Sequence, residues 1–366
     1  MVTFHTICSF LEGIAPFSLQ ESYDNSGLIV GDPKQEVKGI LVSLDCTEAV
    51  IEEAIQKKCN LVVCHHPIVF QGLKQLNGKT YVERTVIKAI QHQIGILAIH
   101  TNLDNVLNGV NQSIANKLGL LNTNILKPIS GKLVHLCVFV PAEYAENLKN
   151  GLFEAGAGSI GNYDNCAFET KGRGSYRPLE KSNPFHGEIG KTEYVDEIRL
   201  EVIYPQHLSK AVFKALRKHH PYEEIAYQCF ELLNENQDIG AGMIGDLPIK
   251  MSQTEFLAFL KEHMNLEMIR FTNLEGKDIQ KVAVCGGAGS FLLKDAIAQG
   301  ADAYVSADFK YHEFFDAENR LLIADIGHFE SEKYTKDLIS DLIVKNFPNF
   351  AVLLSQTNTN PVNYFY

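Results

Sequence analysis

Four histidines and two carboxylates carry most of the chemistry legible in this chain of 366 residues. His65 and His66 stand side by side in Cys64-His65-His66-Pro67, directly after the apolar run Leu61-Val62-Val63. His100 and Asp104 are four apart in His100-Thr101-Asn102-Leu103-Asp104, and His328 and Glu332 are four apart in Gly327-His328-Phe329-Glu330-Ser331-Glu332. On a helix, a spacing of four puts two side chains on one face. Imidazole with carboxylate is a donor set for zinc, manganese or iron, whereas an all-oxygen set would suit calcium or magnesium. Neighbouring side chains on a strand point to opposite faces. Pro67 holds His66 extended where the strand ends, so the two rings can address two different ions. About five protein ligands leave two metal shells incomplete, and the open positions for water or substrate distinguish a catalytic site from a structural one. Two ions about 3.5–4 Å apart acidify a water between them, so hydrolysis is the expected chemistry.

The elements that must position these groups follow from hydrophobic patterning. Ile7, Phe10, Leu11 and Ile14 have helical spacing that breaks at Pro16. A short apolar strand follows between turn-forming residues in 23–32. From residue 39 the pattern becomes regular, with strands at 40–44, 61–64 and 94–99 and helices at 47–58, about 80–93 and about 108–118. Strands alternating with helices predict a parallel sheet with helical crossovers. Ligands of such sheets bind outside the carboxyl ends of the strands, which here carry Asp45, His65-His66 and residues 100–104. Asp45 is expected to cap a helix or support a ligand rather than bind directly.

The rhythm changes between about 125 and 235. Strands at 133–140, 165–168, 197–204 and 225–232 and helices at 143–155 and 208–218 give the order βαββαβ, a complete ferredoxin-like domain. Its mid-chain position reads as an insertion. The expected organisation is an α/β half at 1–125, an inserted α+β domain at 126–235, and a second α/β half at 236–366. Within the insertion, the glycine-rich basic stretch from Lys171 to Pro178 is either an anion cradle or a mobile hairpin.

Beyond the insertion, a helix at 253–263 precedes a strand at 281–284 that ends in Cys285-Gly286-Gly287-Ala288-Gly289-Ser290. This glycine turn is compatible with phosphate binding or close backbone approach, although it does not match GxGxxG. A strand at 303–306 ends at Asp308-Phe309-Lys310-Tyr311-His312, and one at 321–326 ends at Gly327-His328. An amphipathic helix over 329–347, stopped by Pro348, and a strand at 351–354 close the chain. His100, Lys310 and His312 each follow a strand at the same sheet edge, which makes them candidates for catalytic or substrate contacts.

Composition bounds these readings. A net charge of −11 disfavours nucleic acid as a partner. The length suggests two or three domains. Eight scattered cysteines without a CxxC pair read as reduced thiols of a cytoplasmic protein. The N-terminus lacks the pattern of a secretory signal, and no apolar run approaches the roughly 20 residues that span a membrane.

The three histidine motifs, together with Tyr23-Asp24-Asn25-Ser26-Gly27-Leu28, resemble those of the dinuclear-metal family of GTP cyclohydrolase 1 type 2 homologues, also called the Nif-three-like family. The likeness covers about 1–125 and 235–366. Gly161-Asn162-Tyr163-Asp164-Asn165-Cys166 and His220-Pro221-Tyr222-Glu223-Glu224 are similar to PII and CutA proteins, the insertion found in many bacterial members. The resemblance implies two divalent ions per subunit held by His65, His66, Asp104, His328 and Glu332, with Glu332 bridging and His100 close by. It also implies a homohexameric ring whose metal sites face an internal cavity. The expected function is a metal-dependent hydrolase acting on a small nucleotide-like or phosphorylated substrate, with zinc as the first choice of metal and manganese or iron as alternatives. The competing expectation is a non-enzymatic metal-binding or regulatory ring whose PII-like insertion senses a small molecule.

Overall fold

Uninterrupted runs of aliphatic residues form the strands nearest the histidines. In a computed structural model, which describes residues 1–273 and 276–365, Ile40–Ser43, Leu61–Cys64 and Gly95–Ala98 are buried along their whole length. A parallel sheet covered on both faces requires this. The three strands pair in parallel, with Val352–Leu354 beside Ile40–Ser43 and the antiparallel Gly27–Val30 beside Gly95–Ala98. Register sets Ser43 against Cys64 and Cys64 against Ala98. The strands therefore end level, and Asp45, His65, His66 and His100 emerge at one edge.

A second sheet has the order Arg270–Phe271, Leu322–Asp325, Ala303–Ala307, Ile279–Ala288, Glu235–Met251, Leu121–Ser130. The second, third and fourth of these run parallel, with Ser306 against Asp325, so Asp308 and His328 also leave from a common edge. Alternation along each strand assigns side chains to layers. Ile40, Val42, Leu61, Val63 and Leu97 of the first sheet share one buried cluster with Val282, Val284, Val305, Leu322 and Ala324 of the second. The alternate residues Leu41, Val62, Cys64, Ile96 and Ala98 pack instead against helices Glu48–Gln56 and Tyr81–Gln91. Thr47 and Thr80 cap those helices by accepting from the backbone N–H groups of Val50 and Glu83. Each cap contributes about 1 kcal/mol.

By packing, the chain divides into two compact units, Met1–Lys127 with Asp238–Tyr366, and Pro128–Gln237. The second unit runs strand Leu133–Pro141, helix Ala145–Glu154, strands Phe168–Tyr176 and Glu193–Pro205, helix Ser209–His219, strand Tyr227–Leu232. Its antiparallel sheet has the order Phe168–Tyr176, Glu193–Pro205, Leu133–Pro141, Tyr227–Leu232. Leu148, Leu152, Val212 and Leu216 of the two helices cover one face of it. No helix among the described residues is long and apolar enough to cross a membrane, and the cysteines are free thiols.

Several local expectations are corrected. The glycine-rich stretch from Lys171 is no loop: Gly172 pairs with Glu197 and Gly174 with Val195 in the ladder, which makes it part of an edge strand of the sheet. At the turn over 285–290 it is the second of the two readings, close backbone approach, that holds: an added Cβ at Gly289 would stand 2.2 Å from Ser306 Oγ. Strand Ile279–Ala288 runs through it, the N–H of Gly286 donates to Asn111 Oδ1, and that of Gly287 donates to Ser331 Oγ. The helix expected over 329–347 is two helices, His328–Glu332 and Thr335–Asn346. At the break, Lys333 Nζ and the Tyr334 hydroxyl donate to the carbonyls of Asn265 and Met264. Strands Leu121–Ser130 and Glu235–Met251 were not foreshadowed by the pattern, because Asn, Lys and Pro interrupt the first and three glycines the second.

Candidate metal centre

Each of the four histidines is anchored through the same ring nitrogen. His65 Nδ1 lies 2.9 Å from the carbonyl oxygen of Ile99, and His66 Nδ1 lies 2.7 Å from Asp45 Oδ1. His100 Nδ1 is 2.7 Å from Asp24 Oδ1, and His328 Nδ1 is 2.8 Å from Asp308 Oδ2. All four partners are acceptors, which places a hydrogen on Nδ1 and makes Nε2 the nitrogen that can give its lone pair to an ion. This carbonyl-or-carboxylate support behind an imidazole is the arrangement that orients metal-binding histidines. The rings are neighbours, with centroids 5.0 Å apart for His65 and His66, 5.1 Å for His65 and His100, and 5.3 Å for His66 and His328. The supports are themselves held: the backbone N–H of Thr101 donates to Asp24 Oδ2, and Thr359 Oγ1 donates to Asp45 Oδ2.

Glu332 enters this cluster from the helix His328–Glu332 and is buried. Its Oε2 lies 3.0 Å from His66 Nε2 and 3.2 Å from His328 Nε2, while Oε1 lies 3.8 Å from His65 Nε2. Asp104 Oδ1 is 3.7 Å from His65 Nε2. The carboxylate packs directly against Gly287, where an added Cβ would stand 2.5 Å from Glu332 Oε1.

Two atoms test whether a cation suits the site. His65 Nε2 and Asp104 Oδ1 are buried with no hydrogen-bond partner among the described residues, and an unsatisfied buried polar group costs about 1–3 kcal/mol. A cation between them would satisfy both, so the residues present fit a metal. Three overlapping groups have donor atoms mutually within 4.8 Å and could hold an ion: His65-Asp104-Glu332, His66-His328-Glu332 and His65-His66-His100.

Electrostatics agree with a cation-seeking cluster. Burial works against protonation of His66, but the bonds to Asp45 and Glu332 and their charges raise its pKa to about 10. His328 is likewise opposed by burial and raised by Glu332 and Asp308, to about 9. Burial, reinforced by the Glu332 charge, pushes the Asp104 carboxyl up to about 7. Burial also opposes ionisation of Glu332, yet its hydrogen bonds to the histidines hold it well below the usual carboxylate range. Asp45→Ala removes the support of His66 and is expected to weaken divalent-metal affinity about 10–100-fold with the fold retained by circular dichroism. Unchanged affinity would deny Asp45 an orienting role.

A cavity of about 910 Å³ opens onto the cluster and is lined by His66, His100, Asp104, His328 and Glu332, among others. His65 lies fully buried. Lys310 and His312 do not line the cavity. Both are exposed, with the Lys310 N–H donating to Glu313 Oε2 at the start of the 3-10 helix Tyr311–Ala317, and the His312 ring stacked beside Phe315. The residue that this strand delivers is Asp308, two positions earlier, which reaches His328. Its place directly after the strand was the available signal, the same one that marked Asp45.

Comparison with known proteins gives the family. Residues 2–361 match the family model described as Duf34/NIF3 (NGG1p interacting factor 3). The chain belongs to the Duf34/NIF3 family. Related to it is a Bacillus subtilis protein named GTP cyclohydrolase 1 type 2 homolog, 37% identical over 364 residues, which span 98% of this chain and 97% of that one. A Bacillus cereus protein related to NIF3 has a similar solved structure, with a TM-score of 0.87 at 35% identity and 99% of each chain covered. A Staphylococcus aureus protein follows at 0.78 and 30%, again over 99% of each chain. The family expected from the motifs around residues 65, 100 and 328 is thus the Duf34/NIF3 family, and the mixed α/β fold with several sheets is shared with its solved members.

Proposed function

We propose that this chain is a metal-dependent hydrolase with a dinuclear centre held by His65, His66, Asp104, His328 and Glu332. The observation that carries the reading is the division of labour at Glu332. Oε1 faces His65, and Oε2 faces His66 and His328. With Asp104 beside His65, five side chains form two sets joined by one carboxylate. Zinc suits this donor set best, with manganese or iron as alternatives. Three protein donors per ion leave positions for water and substrate. A bound pair of divalent ions would supply an acidified water and polarise the substrate's oxygen.

The chain's own groups do the rest. Asp45, Asp308 and the Ile99 carbonyl keep three imidazoles in the donor tautomer. Burial disfavours the Asp24 carboxylate, but hydrogen bonds from His100 and Thr101 hold its pKa far below the usual range. Asp24 therefore stays ionised and keeps a proton on His100 Nδ1. That leaves His100 Nε2 to contact substrate or accept a proton from it. The substrate is a small nucleotide-like or phosphorylated molecule, a reading supported by the name of the Bacillus subtilis relative.

Chelation is expected to abolish turnover, and added zinc, manganese or iron to restore it. Full activity after chelation, or in a His65→Ala and Glu332→Ala double variant, would sink the hydrolase reading. A pH dependence follows as well. Protons and ions compete for the same nitrogens, and in ion-stripped protein the pKa values of His66 and His328 are raised to about 10 and about 9. Metal affinity is therefore expected to rise with pH, about tenfold per unit for each proton displaced, and to level off above about 9–10. Calorimetric titrations in buffers of different ionisation enthalpy count the released protons; affinity independent of pH from 6 to 9 would contradict it.

We read residues 126–235 as an inserted ferredoxin-like domain of the PII/CutA type between α/β halves at 1–125 and 236–366. Its support is the βαββαβ order with the first strand lying between the third and fourth. Assembly into a homohexamer in the cytoplasm completes the proposal, and light scattering of the purified full chain measures the subunit number.

A further inference from the structure

The walls of the cavity say more about its occupant than the metal cluster does. Besides Asp104 and Glu332, five carboxylates line it: Glu21, Asp45, Asp308, Asp325 and Glu330. Opposite them stands one guanidinium, Arg270, already bonded to Asp325 and to the carbonyl oxygen of Phe309. No lysine lines the cavity among the described residues. Seven carboxylates and one guanidinium leave six net negative charges, two more than a pair of divalent ions would cancel. Beyond the reach of the metal positions, a site for phosphate groups has the reverse balance, with free arginine, lysine or backbone N–H groups turned to the ligand. The glycine-rich turn at 286–287 cannot supply those N–H groups, because Asn111 and Ser331 already engage them.

Between these carboxylates, apolar and aromatic side chains share the lining with the histidines and with neutral polar groups such as Thr47, Asn105 and Asn360. Tyr23, Phe70, Tyr81, Met268, Phe291 and Val362 line the cavity and are all exposed. Phe70 stands edge-on to His100, with centroids 5.7 Å apart, so an aromatic side chain adjoins the imidazole whose Nε2 is free. Exposed rings in an acidic cavity suit a flat, uncharged or cationic partner, through stacking and through the charge. We propose that the cavity binds a planar heterocycle without net negative charge, a free base or nucleoside, and discriminates against its phosphorylated forms. This inference rests on the metal-centre reading, and it narrows the substrate to the ring-like rather than the phosphorylated class.

The test is a calorimetric titration of the zinc-loaded full-length protein with purine, pyrimidine and pteridine bases or nucleosides, and with the mono- and triphosphates of the nucleosides. At least one ring is expected to bind. Its monophosphate is expected to bind about tenfold more weakly and its triphosphate weaker still, since like charges oppose one another across a contact. Phe70→Ala is expected to weaken ring binding about tenfold, the worth of one stacking partner, with zinc content unchanged. Glu330→Gln is expected to recover part of the loss caused by phosphate. The inference is overturned if the triphosphate binds most tightly, if no ring in the panel binds at millimolar concentration, or if Phe70→Ala leaves ring affinity intact. Ring binding without turnover would remove the hydrolase reading and leave this inference standing. Turnover of phosphorylated compounds alone would do the opposite, and failure to load zinc, manganese or iron would remove both.

Discussion

Glu332→Ala is expected to strip both ions from the proposed dinuclear centre, while His328→Ala strips only one. The asymmetry follows from geometry. Glu332 presents Oε1 towards His65 and Oε2 towards His66 and His328, so its loss removes a donor from each set. His328 belongs to one set only, and its loss leaves His65, Asp104 and Glu332 in place. Elemental analysis of the purified variants reads the result directly. A second readout comes from proton chemistry. Glu332 contributes to the raised pKa values of both His66 and His328, so both rings should titrate at lower pH in ion-stripped Glu332→Ala protein, as followed by NMR of the imidazole protons. Retention of two ions by Glu332→Ala would refute the shared-carboxylate reading.

Gly287→Ala is expected to be nearly as damaging, although it removes no donor. Gly287 has a φ of +61°, a left-handed conformation that costs a residue with a Cβ roughly 1–2 kcal/mol. The new methyl would also stand 2.5 Å from Glu332 Oε1 and 3.2 Å from His328 Cε1, which forces the carboxylate out of position. Gly286→Ala provides the comparison. No positive φ is involved there, and its nearest contacts are Val110 Cγ1 at 3.1 Å and Glu332 Cγ at 3.2 Å. Thermal melts and zinc content should show Gly287→Ala losing both stability and metal, and Gly286→Ala losing much less. Full zinc content in Gly287→Ala would show that the carboxylate can move without consequence.

How much of this was legible depended on distance along the chain. Leu61–Cys64 announces itself because a strand buried on both faces is an uninterrupted apolar run, and parallel pairing then brings its end level with those of its neighbours. Family membership was legible for the same reason, since its motifs lie at those strand ends. Side chains that meet only through the fold were not. Thr359 lies 314 residues from Asp45, and no periodicity links them. Asp308 is marked only by its place directly after the strand that ends at Ala307, a signal it shares with Asp45 and one weaker than the metal-binding residue types of its neighbours. The glycines and charges of residues 171–174 masked a strand exposed along most of its length, where no buried face enforces alternation.

The distance between His66 and Glu332 has a further consequence. The two meet at 3.0 Å although 266 positions separate them, and an unfolded chain holds no such pair together. Ions that prefer the assembled cluster act as a thermodynamic clasp on the unit formed by the two ends of the chain, adding about 2.7 kcal/mol when free metal exceeds its dissociation constant a hundredfold. Such a gain is a large share of the 5–15 kcal/mol by which ordinary proteins stay folded. The persistence of the folded chain would then follow the supply of metal, and starvation for metal would expose the protein to degradation as well as idle its site.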